Sequence, residues 1–147
     1  MSGSTPPFVY NAFSDFLEAK VLGHLFLATP YVAPAAFWVA LFTAGATDAG
    51  VSGTTGVEPP GASAYARQPV TWVAAPAQDD GSSAVWNNAV LQWQPATTGW
   101  GTLTGLGVFD AVTAGNLLAY APLVIPKFVS YGDAVRFPVN TLMIGLQ

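Results

Sequence analysis

After Pro30 the chain never again sustains a helical pattern. Short runs of strand-forming residues alternate with clusters of Gly, Pro, Asn, Asp and Ser, and that rhythm restricts the remainder of the chain to β-structure. The spacing predicts strands at about residues 36–43, 70–74, 89–93, 102–109, 117–123, 134–137 and 141–146, with turns at 79–83, 95–99 and 130–133. Several short strands with regular turn signals imply a mainly β fold, an antiparallel β-sandwich or jelly roll. The rhythm is broken once, by a loop at 44–64 rich in Gly, Thr, Ala and Pro. Loops of that length usually serve function or assembly.

The residues before Pro30 read differently. Residues 1–12 form an extended N-terminal arm: Pro6 and Pro7 resist helix, while Phe8, Val9 and Tyr10 give the arm something to bury. Ser14 is a good N-cap, followed by Asp15 and Glu18 in the first turn. Phe13, Leu17, Val21 and Leu25 recur on one face of the α-helix this starts, at about 14–28, and Pro30 closes it. The expected organisation is the arm and then a single sandwich domain, 13–147, that includes the helix. Residues 21–42 are nearly free of charge, and roughly twenty apolar residues suffice to cross a bilayer. His24, Pro30 and Pro34 interrupt that run, however, and "FWVALF" is strand-forming, so a core helix followed by a buried strand is the reading adopted.

Only 8% of the 147 residues are charged, whereas 52% are apolar. An average globular protein has about 25% charged residues. A free monomer of this size needs more charge to stay soluble, so the composition implies a surface covered by further copies or a larger assembly. Four scattered basic residues and a net charge of −4 offer no phosphate-neutralising patch, which excludes nucleic acid as a partner. The absence of cysteine removes disulfides, thiolate nucleophiles and Cys-based zinc sites. "MSGSTPP" lacks the basic start and apolar stretch of a signal peptide, so the chain is expected to be made and kept, or assembled, in a cytoplasm.

Few residues offer chemistry. His24, the one histidine, lies on the helix without an evident partner and reads as a helix residue rather than a general base. Asp79 and Asp80 stand beside Gly81 and two serines, which is turn chemistry first; a calcium site needs six or more oxygens. Glu58, before Pro59 and Pro60, reads as a solvated loop residue. Trp72 and Trp93 alternate with small or polar residues, as core positions do, whereas Trp86 and Trp100 lie near loops and are the candidates for stacking on a sugar. Arg67, in "AYARQPV", is expected to form an orienting pair with Asp110. No catalytic residue, metal ligand or cofactor site is expected.

The stretch "WGTLTGLGVFDAVTAGNLLAY" carries Gly105 and Gly107 on one face of a strand, where another backbone or an aromatic ring, Trp100 among the candidates, can approach closely. Together with "FLEAKVLGHLF", "PAAFWVALFTAG", "YARQPVTW" and "GDAVRFPVNTLMIGL" it resembles a family of small tailed-phage virion proteins, labelled tail-fibre, head-fibre or capsid-decoration proteins. The family pattern falls on Tyr65, Ala66 and Arg67, on Asn87 or Asn88, and on Trp100, Gly101, Thr104, Gly107, Val108, Phe109, Asp110, Gly115, Leu117 and Leu118. A departure is "GVEPPGASAYAR", where two prolines stiffen a stretch that relatives fill with Gly and Ser, as though for a specific contact.

The resemblance implies a non-enzymatic virion component, a homo-oligomer and most simply a homotrimer, with neither nucleic acid nor membrane as partner. Capsid decoration, with the major capsid protein as partner, is the leading expectation. A tail, baseplate or fibre-adaptor component is the alternative, and a carbohydrate-binding module is the second. The chain ends directly after its last strand, so no shaft or receptor-binding tip is expected. Phe8, Tyr10, Phe13, Leu17 and Val21 are the expected assembly contacts, and the 44–64 loop is the second candidate.

Overall fold

A computed structural model of the chain describes residues 13–44, 56–77 and 79–146. In chain order the elements are α1 (Asp15–Phe26), β1 (Phe37–Phe42), a 3-10 turn (Gly61–Ser63), β2 (Gln68–Val70), β3 (Trp72–Ala74), β4 (Ser83–Asn87), β5 (Leu91–Gln92), β6 (Gly101–Phe109), β7 (Leu117–Val129), β8 (Arg136–Phe137) and β9 (Met143–Leu146). Every pairing between these strands is antiparallel. They make a four-stranded sheet in the order β2-β1-β6-β7, a three-stranded sheet β3-β4-β9, and the pair β5-β8.

The three share one core. Val39 and Leu41 of β1, Leu103, Leu106 and Val108 of β6, Trp93, Val135 and Leu142 are buried together, with Trp72, Phe137 and Ile144 packed against them. Each large apolar side chain so buried contributes roughly 1.5–3 kcal/mol. The opposite face of the central pair is covered as well. There Ala40, Phe42, Phe109 and Leu117 form a second cluster. Burial on both faces explains why β1 reads as an unbroken apolar run instead of an alternation.

Gly107 belongs to this second face. A Cβ there would lie 2.7 Å from the Leu117 side chain and 2.8 Å from the Phe42 ring. The close approach expected at this strand face is real, but the ring that makes it is Phe42 and not Trp100. Gly56, at φ +95°, lies against the same ring.

The predicted strand at 70–74 is two strands. Val70 ends β2 in the first sheet and Trp72 begins β3 in the second, so the chain changes sheets at Thr71, whose carbonyl accepts from the Asn88 N–H at 3.1 Å. The strand expected at 89–93 shrinks to Leu91–Gln92, and β4, not anticipated, precedes it. Its sequence, Ser-Ala-Val-Trp-Asn, has few strong strand formers and follows a Gly-Ser turn, so pairing with β3 and β9 decides its state. At its end Asn87, fully buried, donates to the carbonyls of Ala89 and Pro138 and accepts from the N–H groups of Thr141 and Leu142. Asn87 thus fills the role that the sequence left open between two asparagines.

β7 runs six residues beyond its predicted end, through Pro122 and Pro126. It is the edge strand, where a missing N–H does not break a ladder. Leu103 pairs with Lys127 and Gly105 with Pro122, so four residues of β7 bulge out opposite Thr104 alone.

α1 begins as expected at Ser14. The Ser14 hydroxyl accepts from the Leu17 N–H at 3.2 Å and donates to the Leu117 carbonyl. Its own N–H donates to the Leu118 carbonyl, and Phe13 bridges Ala119, which fixes the helix start to β7. The helix ends at Phe26, before Pro30 is reached, with the Gly23 carbonyl accepting from both Leu27 and Thr29. No described helix is long and apolar enough to cross a membrane.

Candidate functional site

The densest polar constellation lies over the second apolar face. Arg67 and Glu58 form a salt bridge, Nη2 to Oε2 at 2.8 Å, and Nε donates to both carboxylate oxygens at 3.1 and 3.3 Å. The Arg67 side chain is 4% exposed and that of Glu58 23%. Nη1 donates to the carbonyls of Ala111 and Ala114, at 2.9 and 2.8 Å. The guanidinium carbon lies 3.7 Å from the centre of the Phe109 ring, a cation–π contact.

Tyr65 extends the constellation into the sheet. Its hydroxyl donates to Glu58 Oε1 and accepts from the Leu41 N–H at 3.0 Å. β2 pairs with β1 only as far as Val39, and Val57 takes up Thr43 and Ala44. Tyr65 therefore stands in for a strand between them. Burial first, and then the hydrogen bond to Glu58, push its phenol far above the usual tyrosine range. Its ring meets Trp100 edge-on at 5.4 Å, and the Trp100 indole N–H donates to the Ser63 carbonyl at 3.1 Å.

Three sequence expectations change here. The acid of Arg67 is Glu58 and not Asp110, and Glu58 is a half-buried anchor instead of a solvated loop residue. Asp110 is committed to its own loop: its carboxylate accepts from the backbone and side-chain N–H groups of Asn116 at 2.7 and 3.0 Å. Arg67 reaches that loop through carbonyls. Gly115, at φ +75°, is needed because a Cβ would lie 2.6 Å from Asp110 Oδ1. Trp100, proposed as open to a sugar, is 5% exposed and occupied on its polar edge. Trp86 is half-buried. The signal that could have found Glu58 was present: two prolines after an acid, and a Tyr-x-Arg shortly beyond. Its spatial partner could not be told from Asp110 without the fold.

The remaining candidates sit apart. His24 Nδ1 accepts from the Tyr31 N–H at 3.1 Å. Asp80 accepts from the Ser82 N–H and hydroxyl, as a turn residue does. Among the described residues, no group of three or more His, Asp or Glu side chains could hold a metal ion. Phe13, Leu17 and Val21 are half-buried, while Phe8 and Tyr10 lie outside the described residues.

What remains is surface. On the second half of α1 and just after it, Leu22, Leu25, Phe26 and Leu27 are exposed, Phe26 to 76%. Gly23 is the one buried residue of the helix. The β7 bulge exposes Val124 and Ile125, the latter to 80%, and Phe128 lies just beyond. Single exposed apolar side chains are ordinary, but successive ones on one element mark an interaction surface.

A family model described as "Podophage GP4 fiber I protein gp80" matches residues 12–145, and the chain belongs to that family. The match spans α1, β1 to β8 and β9 up to Gly145, along with Glu58, Tyr65, Arg67 and Asp110. No curated protein matches the chain.

Proposed function

We propose that the chain is a non-enzymatic subunit of a podophage fibre, working as a homo-oligomer, a trimer in our reading, whose copies meet through the apolar end of α1. The observation that carries this is the exposure of Leu22, Leu25, Phe26 and Leu27 at the C-terminal end of α1, whereas the exposed charges Asp15, Glu18 and Lys20 all lie in its N-terminal half. Closed symmetric association buries such a surface by placing the same patch of each copy in an interface. The half-buried Phe13, Leu17 and Val21 support the helix from below, which moves the proposed contact toward its C-terminal end.

The family description favours the fibre over the capsid-cement reading, and the major capsid protein is the partner only in the latter. Labelled antibody on intact particles distinguishes them: signal on fibres is expected, and signal spread over the capsid surface overturns the location. The assembly itself is tested by solution mass. Leu25→Glu with Phe26→Glu is expected to lower the measured mass to that of a single 15.2 kDa chain while leaving the β-sheet circular dichroism unchanged. An unchanged oligomer overturns the interface.

A further inference from the structure

The two ends of α1 are held by different partners. Its start is tied to β7 through Ser14, whereas its last turn is held by the link to β1, residues 27–36, which doubles back on it. The Gly23 carbonyl accepts from the Leu27 and Thr29 N–H groups, and the Tyr31 ring meets Phe16 edge-on at 6.3 Å. His24 Nδ1 accepts from the Tyr31 N–H at 3.1 Å. Within this turn Ala28 stands at φ +54°, a left-handed conformation that a residue with a Cβ keeps only where its neighbours hold it.

We infer that His24 is a pH-operated latch on this turn: neutral, it holds the link against the helix, and protonated, it lets the link go. Valence decides it. Nδ1 has a single lone pair and the Tyr31 N–H takes it, so the proton of the neutral ring sits on Nε2. A second proton can enter only at Nδ1, where it turns the acceptor into a donor facing a donor. Imidazole makes that change between about pH 5 and pH 8. The bond is therefore present above that range and lost as pH falls through it. His24 is exposed, so solvent protons reach it without the chain opening. The charged groups around it are of other types. Lys20 lies one turn earlier on α1, its ammonium 5.4 Å from the centre of the Phe16 ring, and Asp15 and Glu18 belong to the first turn. Beyond the link, Asp110 is the acid whose charge reaches the Tyr31 phenol. With the latch released, Ala28 loses one of the contacts that hold its turn, and the end of α1 carrying Leu22, Leu25 and Phe26 is held more loosely. This device stands on contacts within one chain and is independent of the fibre reading.

The chain has one histidine, so its ring signals are read without overlap. Nitrogen-15 NMR of the whole protein at about pH 8 is expected to show neutral His24 with its proton on Nε2, and a proton on Nδ1 overturns the latch. Between about pH 8 and pH 5 the hydrogen-exchange protection factor of the Tyr31 amide is expected to fall about two- to tenfold, the weight of one hydrogen bond. The Leu17 amide, which donates to Ser14 at the far end of the helix, is expected to keep its own. An unchanged Tyr31, or an equal fall at Leu17, sinks the proposal. His24→Asn places an oxygen where Nδ1 stands, an acceptor that takes no proton in this range. In that variant Tyr31 protection is expected to be the same at both pH values; a fall like that of the unaltered chain removes the assignment to His24. The first two measurements use the native sequence and decide the matter even if the variant fails to fold.

Discussion

At the scale of single residues, Arg67 organises more of the chain than any other side chain described. It joins the segment before β2 to Glu58, to the end of β6 and to the turn at 110–116. Removing it leaves the half-buried Glu58 carboxylate with the Tyr65 hydroxyl as its remaining donor and takes the donor from the Ala111 and Ala114 carbonyls. Arg67→Met is therefore expected to cost about 3 kcal/mol, toward the lower end for a broken buried pair because Glu58 keeps some solvent. The sharper measurement is a double-mutant cycle by urea unfolding. Arg67 and Glu58 are expected to couple by at least about 1 kcal/mol, and Arg67 and Asp110 by less than about 0.5. The reverse ranking would restore the Asp110 pairing. From sequence, Asp110 is an acid nominated to pair with Arg67 in a charge-poor chain, and in the fold it directly follows Phe109, on whose ring the guanidinium rests. What sequence could not show is that Asn116, six residues on, takes both oxygens of that carboxylate.

At the scale of elements, legibility depends on whether the signal is local. The start of α1 was readable at Ser14 because an N-cap is a three-residue event, and β6 was readable because its glycines and apolar residues alternate within one strand. β4 was invisible because its state is set by β3 and β9, and β9 lies more than fifty residues away. The second half of β7 was hidden by Pro122 and Pro126, which signal a break everywhere except on a sheet edge. The exposed end of α1 reversed an amphipathic expectation: Leu25, placed by periodicity on the buried face, lies in solvent in the single chain. Ser14 gives the test at this scale. Ser14→Ala removes both the cap and the bond to Leu117, and is expected to cost about 1–2 kcal/mol by thermal or urea unfolding. Ser14→Asp, which can accept from Leu17 but cannot donate to Leu117, is expected to recover only part of it.

For the whole molecule, the balance of charge and burial gives a pH dependence at the alkaline end. Tyr65 is held protonated by burial and by Glu58, and Tyr31 is raised by burial and then by the charge of Asp110. In the unfolded chain both release their protons near pH 10. Above that pH the native state holds more protons than the unfolded state, so stability falls as pH rises; below it both states are protonated and these groups contribute no slope. Urea midpoints measured between about pH 8 and pH 11 are expected to show the decline, and Tyr65→Phe to flatten it. Tyrosinate absorbance of the native protein is expected to report Tyr65 only on unfolding. The contact between Ser14 and Leu117 has a further consequence during synthesis. Its two partners are 103 residues apart, so the helix leaves the ribosome long before the strand that anchors it exists. At about 5–20 residues per second, that interval is on the order of 5–20 s. Throughout it the Ser14 N–H and hydroxyl lack the Leu118 and Leu117 carbonyls that fix the helix to β7, so α1 has no place to dock until β7 has been made.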